Sequence, residues 1–283
     1  MRPERRLAEA PIGTPSARDW KVFQGWASRQ GWRVPRRELA LYREELADSA
    51  FAFRDEWRQP LAFVTVCRQQ EHAWIGNLIV DPARRGQGYG RQLFLHAIGI
   101  LSARGAKVLW LTASADGRPL YASLGFHEIG RVERWICTGI DRARERPAAV
   151  GKGELYALVR ADAGAWGHSR AGLLTLLARG GQIAAAGSTV ALLQPGEDLN
   201  VLGPWLSADR CPRANRLVLG MVLEAVSGAG EIAVDVIADS PVRPLLLAAG
   251  FRQVGESVLM RCGAAGTVRL VEVVALASLG SMG

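Results

Sequence analysis

The chain repeats part of its own sequence at an offset of 125 residues, without a gap. Residues 118–126, RPLYASLGF, stand against residues 243–251, RPLLLAAGF. In the same register, the strand-like residues 108–111 stand against residues 233–236. Chance is a poor explanation for the Arg-Pro-Leu triplet, the Gly-Phe pair and the strand in one register. The 283 residues therefore contain two copies of one fold, each of about 110–150 residues, which is an ordinary domain size.

The two copies differ at one aromatic position and in the glycines that precede one helix. Tyr121 of the first copy stands against Leu246 of the second. The three glycines of the first copy and the residues that replace them in the second are Gly86, Gly88 and Gly90, and Cys211, Arg213 and Asn215. The second copy therefore keeps the apolar frame and lacks both the glycines and the tyrosine.

Hydrophobic periodicity predicts two helices, then three strands joined by short polar connections that suit antiparallel hairpins. A helix, a strand, a short helix and a last strand that closes the first sheet follow. The predicted helices are 19–30, 38–46, 91–103 and 119–123, and the predicted strands are 51–57, 61–67, 73–80, 107–112 and 132–137. The predicted organisation is a domain over 1–140, a charged linker over 141–152, a second domain over 153–263 and a tail over 264–283.

Composition excludes several classes of protein. No apolar run reaches the ~18 residues that a membrane span needs. The first residues are positively charged but have no apolar stretch behind them, so they do not resemble a secretory signal. The four cysteines are far apart and form no Cys-x-x-Cys pair, which favours reduced thiols over a disulfide framework or a zinc site. We therefore expect a cytoplasmic protein with no membrane partner.

The net charge of +8 is compatible with nucleic acid or with an anionic cofactor as the partner. The arginines are scattered, and their short clusters are not interleaved with aromatic residues as a base-stacking platform requires. Nucleic acid is therefore the weaker hypothesis. The four histidines have no metal-ligand spacing, and no Gly-x-Ser-x-Gly motif occurs, so we expect neither a metal site nor a serine hydrolase.

The glycine-rich residues 81–90, DPARRGQGYG, lie between a predicted strand and a predicted helix. Such a loop presents bare backbone N–H groups at the positive end of a helix dipole, which is a binding site for phosphate. Neighbouring arginines such as Arg84, Arg85 and Arg91 add positive charge. The spacing fits neither the dinucleotide fingerprint nor the Walker motif. A tight turn that merely uses glycine is the alternative interpretation.

Residues 78–90, LIVDPARRGQGYG, resemble the acyl-coenzyme A signature of the GNAT N-acetyltransferase superfamily, whose core is Arg/Gln-x-x-Gly-x-Gly/Ala. Arg85, Gly88 and Gly90 match that core. Residues 120–126, LYASLGF, resemble the tyrosine helix and Gly-Phe turn of the same family. The resemblance covers about residues 1–140, and the second copy resembles a degenerate GNAT domain. It implies an α+β (α/β) fold of two tandem GNAT-like domains, each a mixed, mostly antiparallel central sheet flanked by helices.

The resemblance also implies roles for particular residues. Acetyl-coenzyme A (acetyl-CoA) is the implied co-substrate. The backbone of a splayed strand would hold its pantetheine arm, and the loop would hold its pyrophosphate. Tyr121 would protonate the departing thiolate as the catalytic acid, unless it is only an aromatic that packs the helix. The implied binding residues are Leu78, Ile79 and Val80 on the strand, and Arg85, Gly86, Gln87, Gly88, Tyr89, Gly90 and Arg91 in the loop and helix.

The sequence does not identify a general base or an acceptor. Residues 73–80 contain no carboxylate, so a base acting through water would come from Glu71, His72 or Asn77. The acidic residues of the N-terminal helices would attract an amine but are more typical of a solvated face. Those residues are Glu38, Glu44, Glu45 and Asp48. The aromatic residues of the same region, Trp20, Phe23, Trp26 and Trp32, are more typical of a core than of a substrate cage.

We therefore predict an N-acetyltransferase that transfers an acetyl group from acetyl-CoA to a primary amine by direct attack. The acceptor, a small molecule or a peptide amine, stays open. The second copy would wall the acceptor cleft or support a homodimer. The alternative is a non-catalytic acyl-CoA sensor or scaffold.

Overall fold

A computed structural model describes residues 12–139, 150–226, 230–264 and 266–283. The first half contains the strands and helices β1 Ile12–Gly13, α1 Ala17–Arg29, α2 Arg36–Glu44, β2 Ala50–Arg54, β3 Pro60–Gln69, β4 His72–Val80, α3 Tyr89–Ala103, β5 Val108–Ala113, α4 Arg118–Ala122 and β6 His127–Thr138. The second half contains α5 Lys152–Trp166, α6 Ala171–Ala178, β7 Gln182–Ala186, β8 Thr189–Gln194, β9 Asn200–Ser207, α7 Pro212–Ala225, β10 Glu231–Ile237, α8 Arg243–Ala248, β11 Arg252–Cys262 and β12 Val273–Ala275.

The order of the elements confirms the internal repeat. From α1 to β6 and from α5 to β11, each half runs through two helices, three strands, a helix, a strand, a short helix and a strand. The predicted strand at 233–236 falls inside β10, and the second Arg-Pro-Leu triplet opens α8 just as the first opens α4. Most of the predicted linker lies outside the described residues, and the domain boundaries stay a prediction.

The first helix shows how local sequence fixes an element. Ser16 and Asp19 form a capping box: the Asp19 N–H donates to Ser16 Oγ (3.3 Å) and the Ser16 N–H donates to the Asp19 carboxylate (2.7 Å). Trp20, Phe23 and Trp26 then fall on one face of the helix, where all three are buried. These three residues belong to the core, as predicted.

All twelve described strands form one sheet, in the order β1-β2-β3-β4-β5-β11-β6-β10-β12-β9-β8-β7. Only the β4–β5 and β9–β10 pairs are parallel, which confirms a mixed, mostly antiparallel sheet. Helices cover both faces. One core packs α1, α2, α5 and α6 against the sheet. The other face holds two cores, one under α3 and α4 and one under α7 and α8.

The two halves exchange their last strands. On the edge that does not contact β4, β5 pairs with β11 of the second half. In turn, β10 pairs with β6 of the first half. β6 and β11 then pair with each other at the centre of the sheet. The prediction that residues 132–137 close the first sheet is therefore wrong: these residues lie in β6, between β11 and β10. Because β6 and β11 are copies of one element, the same pleat pattern fits either partner.

The predicted tail, 264–283, contains a strand that enters the sheet of the second half. β12 lies between β9 and β10, with Ala275 opposite Val236 and Val273 opposite Leu206. A Cβ on Gly203 of β9 would meet the Leu276 carbonyl oxygen at 1.9 Å, so only glycine permits this approach. β12 therefore fills the gap between β9 and β10.

Candidate functional site

The glycine-rich loop connects β4 to α3. Asp81 caps a short 3-10 turn by accepting a hydrogen bond from the Ala83 N–H at Oδ1 (3.0 Å). Gly86 and Gly88 then both adopt positive φ angles, +76° and +86°, and Gly88 is the N-cap residue of α3. Residues that carry a side chain rarely adopt positive φ angles, which explains why the loop needs glycine at these two positions.

The loop leaves its backbone donors free. Within the described part of the chain, no N–H group from Gly86 to Gly90 donates a hydrogen bond. These groups cluster at the start of a 15-residue helix, where the helix dipole is positive. A Cβ on Gly90 would meet Val80 Cγ2 at 3.0 Å, so this glycine lets the helix pack closely on β4. The result is an open cradle of unpaired donors that suits a phosphate.

A bulge in β4 separates that strand from β5. Asn77 has a φ angle of +53°, and the pairing of β4 with β3 shifts register at this position. Only the first three residues of β4, from His72 to Trp74, pair with β5. Beyond them the two strands diverge, because the bulge turns β4 away. The divergence opens a space along β4, beside Gly76, Asn77 and Leu78.

This space is a cavity of about 360 Å³ that both halves line. The first half contributes residues from β4, β5, α4, β6 and the loop between α1 and α2, and the second half contributes residues from β10, β11 and the chain after β12. Trp32, predicted as a core residue, packs partly against the core and also lines the cavity. Other lining residues are Asn77, Leu78, Thr112, Tyr121, Arg134, Asp235, Glu256, Leu279 and Gly280.

Tyr121 of α4 lies at the wall of this cavity. Its side chain is 8% exposed, and its ring packs on Phe94 of α3 with 4.9 Å between the ring centroids. The hydroxyl has no hydrogen-bond partner in the described part of the chain. Burial raises the pKa of the Tyr121 hydroxyl above its ordinary value, so the group keeps its proton at neutral pH. A buried hydroxyl with a free proton and no internal acceptor is suited to act as an acid.

The residues predicted on the strand occupy different environments. Leu78 lines the cavity. Ile79 is 3% exposed, packs into the core under α1 and α2, and can contribute only its backbone. Val80 lies against Gly90, at the junction of strand and cradle. Arg91 donates to Ser123 Oγ through Nη1 (3.2 Å) and so ties α3 to the turn after α4.

An ion pair between the halves, which the sequence analysis did not predict, forms another wall of the cavity. Arg134 of β6 donates to both carboxylate oxygens of Asp235 of β10, with distances of 2.8 and 2.7 Å. Asp235 is buried. Burial of Arg134 acts to lower the pKa of its guanidinium, but the charge and hydrogen bonds of Asp235 outweigh this and raise that pKa above its ordinary value. The pair depends on the strand exchange, because β6 and β10 are neighbours only through it.

The three side chains considered as a base have different surroundings. Glu71 forms a surface ion pair with Lys107 (2.5 Å). His72 stacks on His168, with ring centroids 3.9 Å apart, and its Nδ1 accepts from the Trp110 indole (3.2 Å). Burial, with a smaller contribution from His168, lowers the pKa of His72 to about 4. Neither Glu71 nor His72 lines the cavity, whereas Asn77 does.

Glu38 of α2 is not on a solvated face, contrary to the sequence-based interpretation. It is 8% exposed, and its Oε1 accepts from Asn77 Nδ2 (3.3 Å) and from Ser281 Oγ (2.7 Å). Burial raises the pKa of this carboxyl above its ordinary value, although both hydrogen bonds act in the opposite direction. The sequence could not reveal this because one partner lies 243 residues away.

We expect Glu38→Gln to stabilise the protein at alkaline pH. A raised folded-state pKa means that the folded chain binds the proton more tightly than the unfolded chain does. The contribution of Glu38 to the free energy of unfolding is therefore full at low pH. It is lost as the pH rises through the folded-state pKa. Glutamine keeps an acceptor oxygen and cannot ionise. Thermal unfolding at pH 5 and pH 8 should give a larger gain in Tm at pH 8; an equal change at both would contradict the assignment.

The corresponding loop of the second half is closed by its own side chains. Asn215, which is fully buried, donates through Nδ2 to Ser207 Oγ (3.1 Å) and to the Cys211 carbonyl (3.0 Å). The Cys211 N–H donates to Asp209 Oδ1 (3.2 Å). The loop that replaces the glycines therefore has side-chain contacts where the first half has open space.

The described residues contain no group of three or more histidine, cysteine or acidic side chains placed to hold a metal ion. No helix among them is both long and apolar enough to cross a membrane. All four cysteines are free thiols.

The first half of the chain is similar in sequence to a known protein family. Residues 19–126 match the Acetyltransferase (GNAT) family. The [ribosomal protein bS18]-alanine N-acetyltransferase of Haemophilus ducreyi is 38% identical over 72 residues, which are 24% of this chain and 50% of that protein. The Escherichia coli K12 protein of the same name is 43% identical over 61 residues, 20% of this chain and 41% of that protein. The chain thus spans half or less of the length of these curated relatives.

Solved structures match over most of the chain. An acetyltransferase structure from Pyrococcus horikoshii has a TM-score of 0.76 at 19% identity, covering 96% of this chain and 95% of that one. A tandem GNAT protein from the clavulanic acid biosynthesis pathway has a TM-score of 0.59 at 14% identity, covering 89% of this chain and 98% of that one. These likenesses concern the fold.

Over most of its length the chain therefore has the fold of a tandem GNAT structure. Its N-terminal half carries the match to the GNAT acetyltransferase family. Its second half has the same order of elements without the glycine-rich loop.

Proposed function

We propose that this protein transfers the acetyl group of acetyl-CoA to a primary amine, in the cavity of its first half. The observation that carries the proposal is a juxtaposition. The cradle of free N–H groups stands at the end of β4, and the buried acid Tyr121 faces the cavity beside that same strand. A phosphate-bearing acyl donor and a proton donor would thus meet at one place.

The glycine-rich loop and β4 would bind different parts of acetyl-CoA, the acyl donor. The N–H groups of Gly86, Gly88 and Gly90 would hold its pyrophosphate, because they are unpaired and lie at a helix N-terminus. A Cβ on Gly88 would meet only the end of the Gln92 side chain, at 3.8 Å, so the space above the cradle is open. Beyond the bulge, the backbone of Leu78 and Val80 is free of β5 and can bind an extended arm.

Acetyl-CoA supplies an activated acyl group as a thioester. The unprotonated amine attacks the carbonyl carbon as the C–S bond breaks. The nitrogen then loses a proton to solvent, and the departing thiolate must gain one. The hydroxyl of Tyr121 would hold that proton, since its raised pKa keeps it neutral. Fixed donors of the β4 backbone would stabilise the developing oxyanion.

The second half would then act as a wall of the acceptor cleft. Asp235 and Glu256 bring carboxylates to the cavity from β10 and β11. Asp235 is neutralised by Arg134 (2.7 Å), whereas the nearest cation to Glu256 is Arg131 at 3.7 Å. Glu256 is thus the acidic wall residue whose charge is less completely compensated, and it would attract an ammonium group to the cleft.

The test combines binding with turnover. Isothermal titration of acetyl-CoA should give one site per chain. Release of free CoA thiol should then depend on an added primary amine, drawn from small amines and short peptides, with the acetylated product identified by mass spectrometry. Binding with no amine-dependent release would favour the sensor or scaffold alternative. No binding would contradict the proposal as a whole.

A further inference from the structure

After β12, the chain leaves the second half and runs into the first. Residues Leu279–Ser281, here named the tail segment, lie where β4 and β5 diverge. A Cβ on Gly76 of β4 would meet Ser281 Cα at 2.5 Å and the Gly280 carbonyl oxygen at 2.8 Å. A Cβ on Gly280 would meet Thr112 Oγ1 of β5 at 2.9 Å. The tail segment is therefore in tight contact with both strands that frame the cavity.

Side chains of the first half hold the backbone of the tail segment. Arg134 Nη2 donates to the Leu279 carbonyl (2.8 Å), and the Trp74 indole donates to the Gly280 carbonyl (3.2 Å). Ser281 is held as well, because the Tyr42 hydroxyl donates to its carbonyl oxygen (3.1 Å).

The Ser281 hydroxyl donates to Glu38, which also accepts from Asn77 in the β4 bulge. One carboxylate thus connects the tail segment to the residue that separates the two strands. Successive tail residues are held by different parts of the first half, so the segment is a fixed part of the site.

We propose that the tail segment sets the size of the acceptor, with Leu279 as the residue that limits its length. This inference rests on the proposed acetyl transfer. Leu279 and Gly280 line the cavity, and Leu279 also packs against the cluster of Ile136, Leu199 and Ala233. The backbone behind them is in tight contact with β4 and cannot retreat. A cavity of about 360 Å³ is near the lower limit for small-molecule pockets, so the acceptors are short primary amines.

The experiment measures how kcat/KM depends on the length of the acceptor amine. Wild type and Leu279→Ala are compared on n-alkylamines from ethylamine to octylamine, at saturating acetyl-CoA. We expect wild type to prefer short amines and Leu279→Ala to raise the ratio of kcat/KM for long over short amines by about tenfold or more, since one methylene in a pocket is worth that much. Acetyl-CoA affinity should change less than about twofold.

Leu270→Ala is the matched control. Leu270 is a partly buried leucine on the same stretch of chain that packs against the core but does not line the cavity. It should lower stability without changing the amine-length ratio. An unchanged ratio in Leu279→Ala would overturn the inference. If wild type binds acetyl-CoA but acetylates no amine of the series, acetyl transfer to simple amines is what fails.

A labelling experiment tests the position of Leu279 without activity. Leu279→Cys should react with methyl methanethiosulfonate, because this position faces the cavity. Leu276→Cys, on the same stretch but 1% exposed, should be protected. Peptide mass spectrometry separates both from the native thiols. Equal protection at the two positions would overturn the inference.

Discussion

Replacing Gly88 with arginine should weaken acetyl-CoA binding by about 100-fold or more, which corresponds to about 2.7 kcal/mol or more. The variant copies the arginine found at this position in the second half. The φ angle of +86° is strained for any side chain, and the added side chain would extend into the open space above the cradle. Both effects act on the ligand site, so isothermal titration should show loss of binding while thermal unfolding shows a folded protein.

Gly99→Arg provides the control for charge. Gly99 lies on the same helix, is exposed, and has no atom within 4 Å of an added Cβ. This variant adds the same charge to α3 without touching the cradle, and it should bind acetyl-CoA as wild type does. Wild-type affinity in Gly88→Arg would remove the loop from the binding site.

Tyr121→Phe should lower kcat by about 10²–10⁴-fold, the usual contribution of a general acid. The hydroxyl has no partner among the described residues, so its removal leaves no buried group unpaired. Stability and acetyl-CoA affinity should therefore stay close to wild type. The measurement is amine-dependent release of CoA thiol at saturating acetyl-CoA, beside a titration of the same sample.

Tyr156→Phe removes a hydroxyl from a tyrosine of the second half that is 64% exposed, and should change neither kcat nor acetyl-CoA affinity. Full activity in Tyr121→Phe would assign Tyr121 to packing against Phe94 alone. A large loss of stability in that variant would also contradict the argument, because the structure gives the hydroxyl no structural role.

Local sequence determined much of what could be predicted. The capping box of Ser16 and Asp19, the glycines of the loop and the repeated Arg-Pro-Leu triplet each act through neighbouring residues, so their patterns are readable in one dimension. The helices and strands of the first half accordingly lie within a few residues of their predicted spans. The residues assigned to acetyl-CoA stay predictions that the variants above test.

Long-range pairing could not be predicted, for a physical reason. β6 and β11 are copies of one element, and nothing in their alternation says which sheet each one joins. The ion pair of Arg134 and Asp235 depends on that choice. The burial of Glu38 likewise depends on Ser281, at the other end of the chain. Charge on a helix face predicts exposure only when no distant segment covers it.

The exchange of β6 and β11 has a consequence for the order in which the protein is made. Synthesis starts at the N-terminus, so β5 emerges from the ribosome long before its partner β11, and its edge stays unpaired meanwhile. β6 must likewise wait for β10. The cavity is not complete until residues 279–280 arrive. The first half, which carries the proposed chemistry, is thus finished last, and a ribosome that stalls between the halves would release a chain with an open sheet edge.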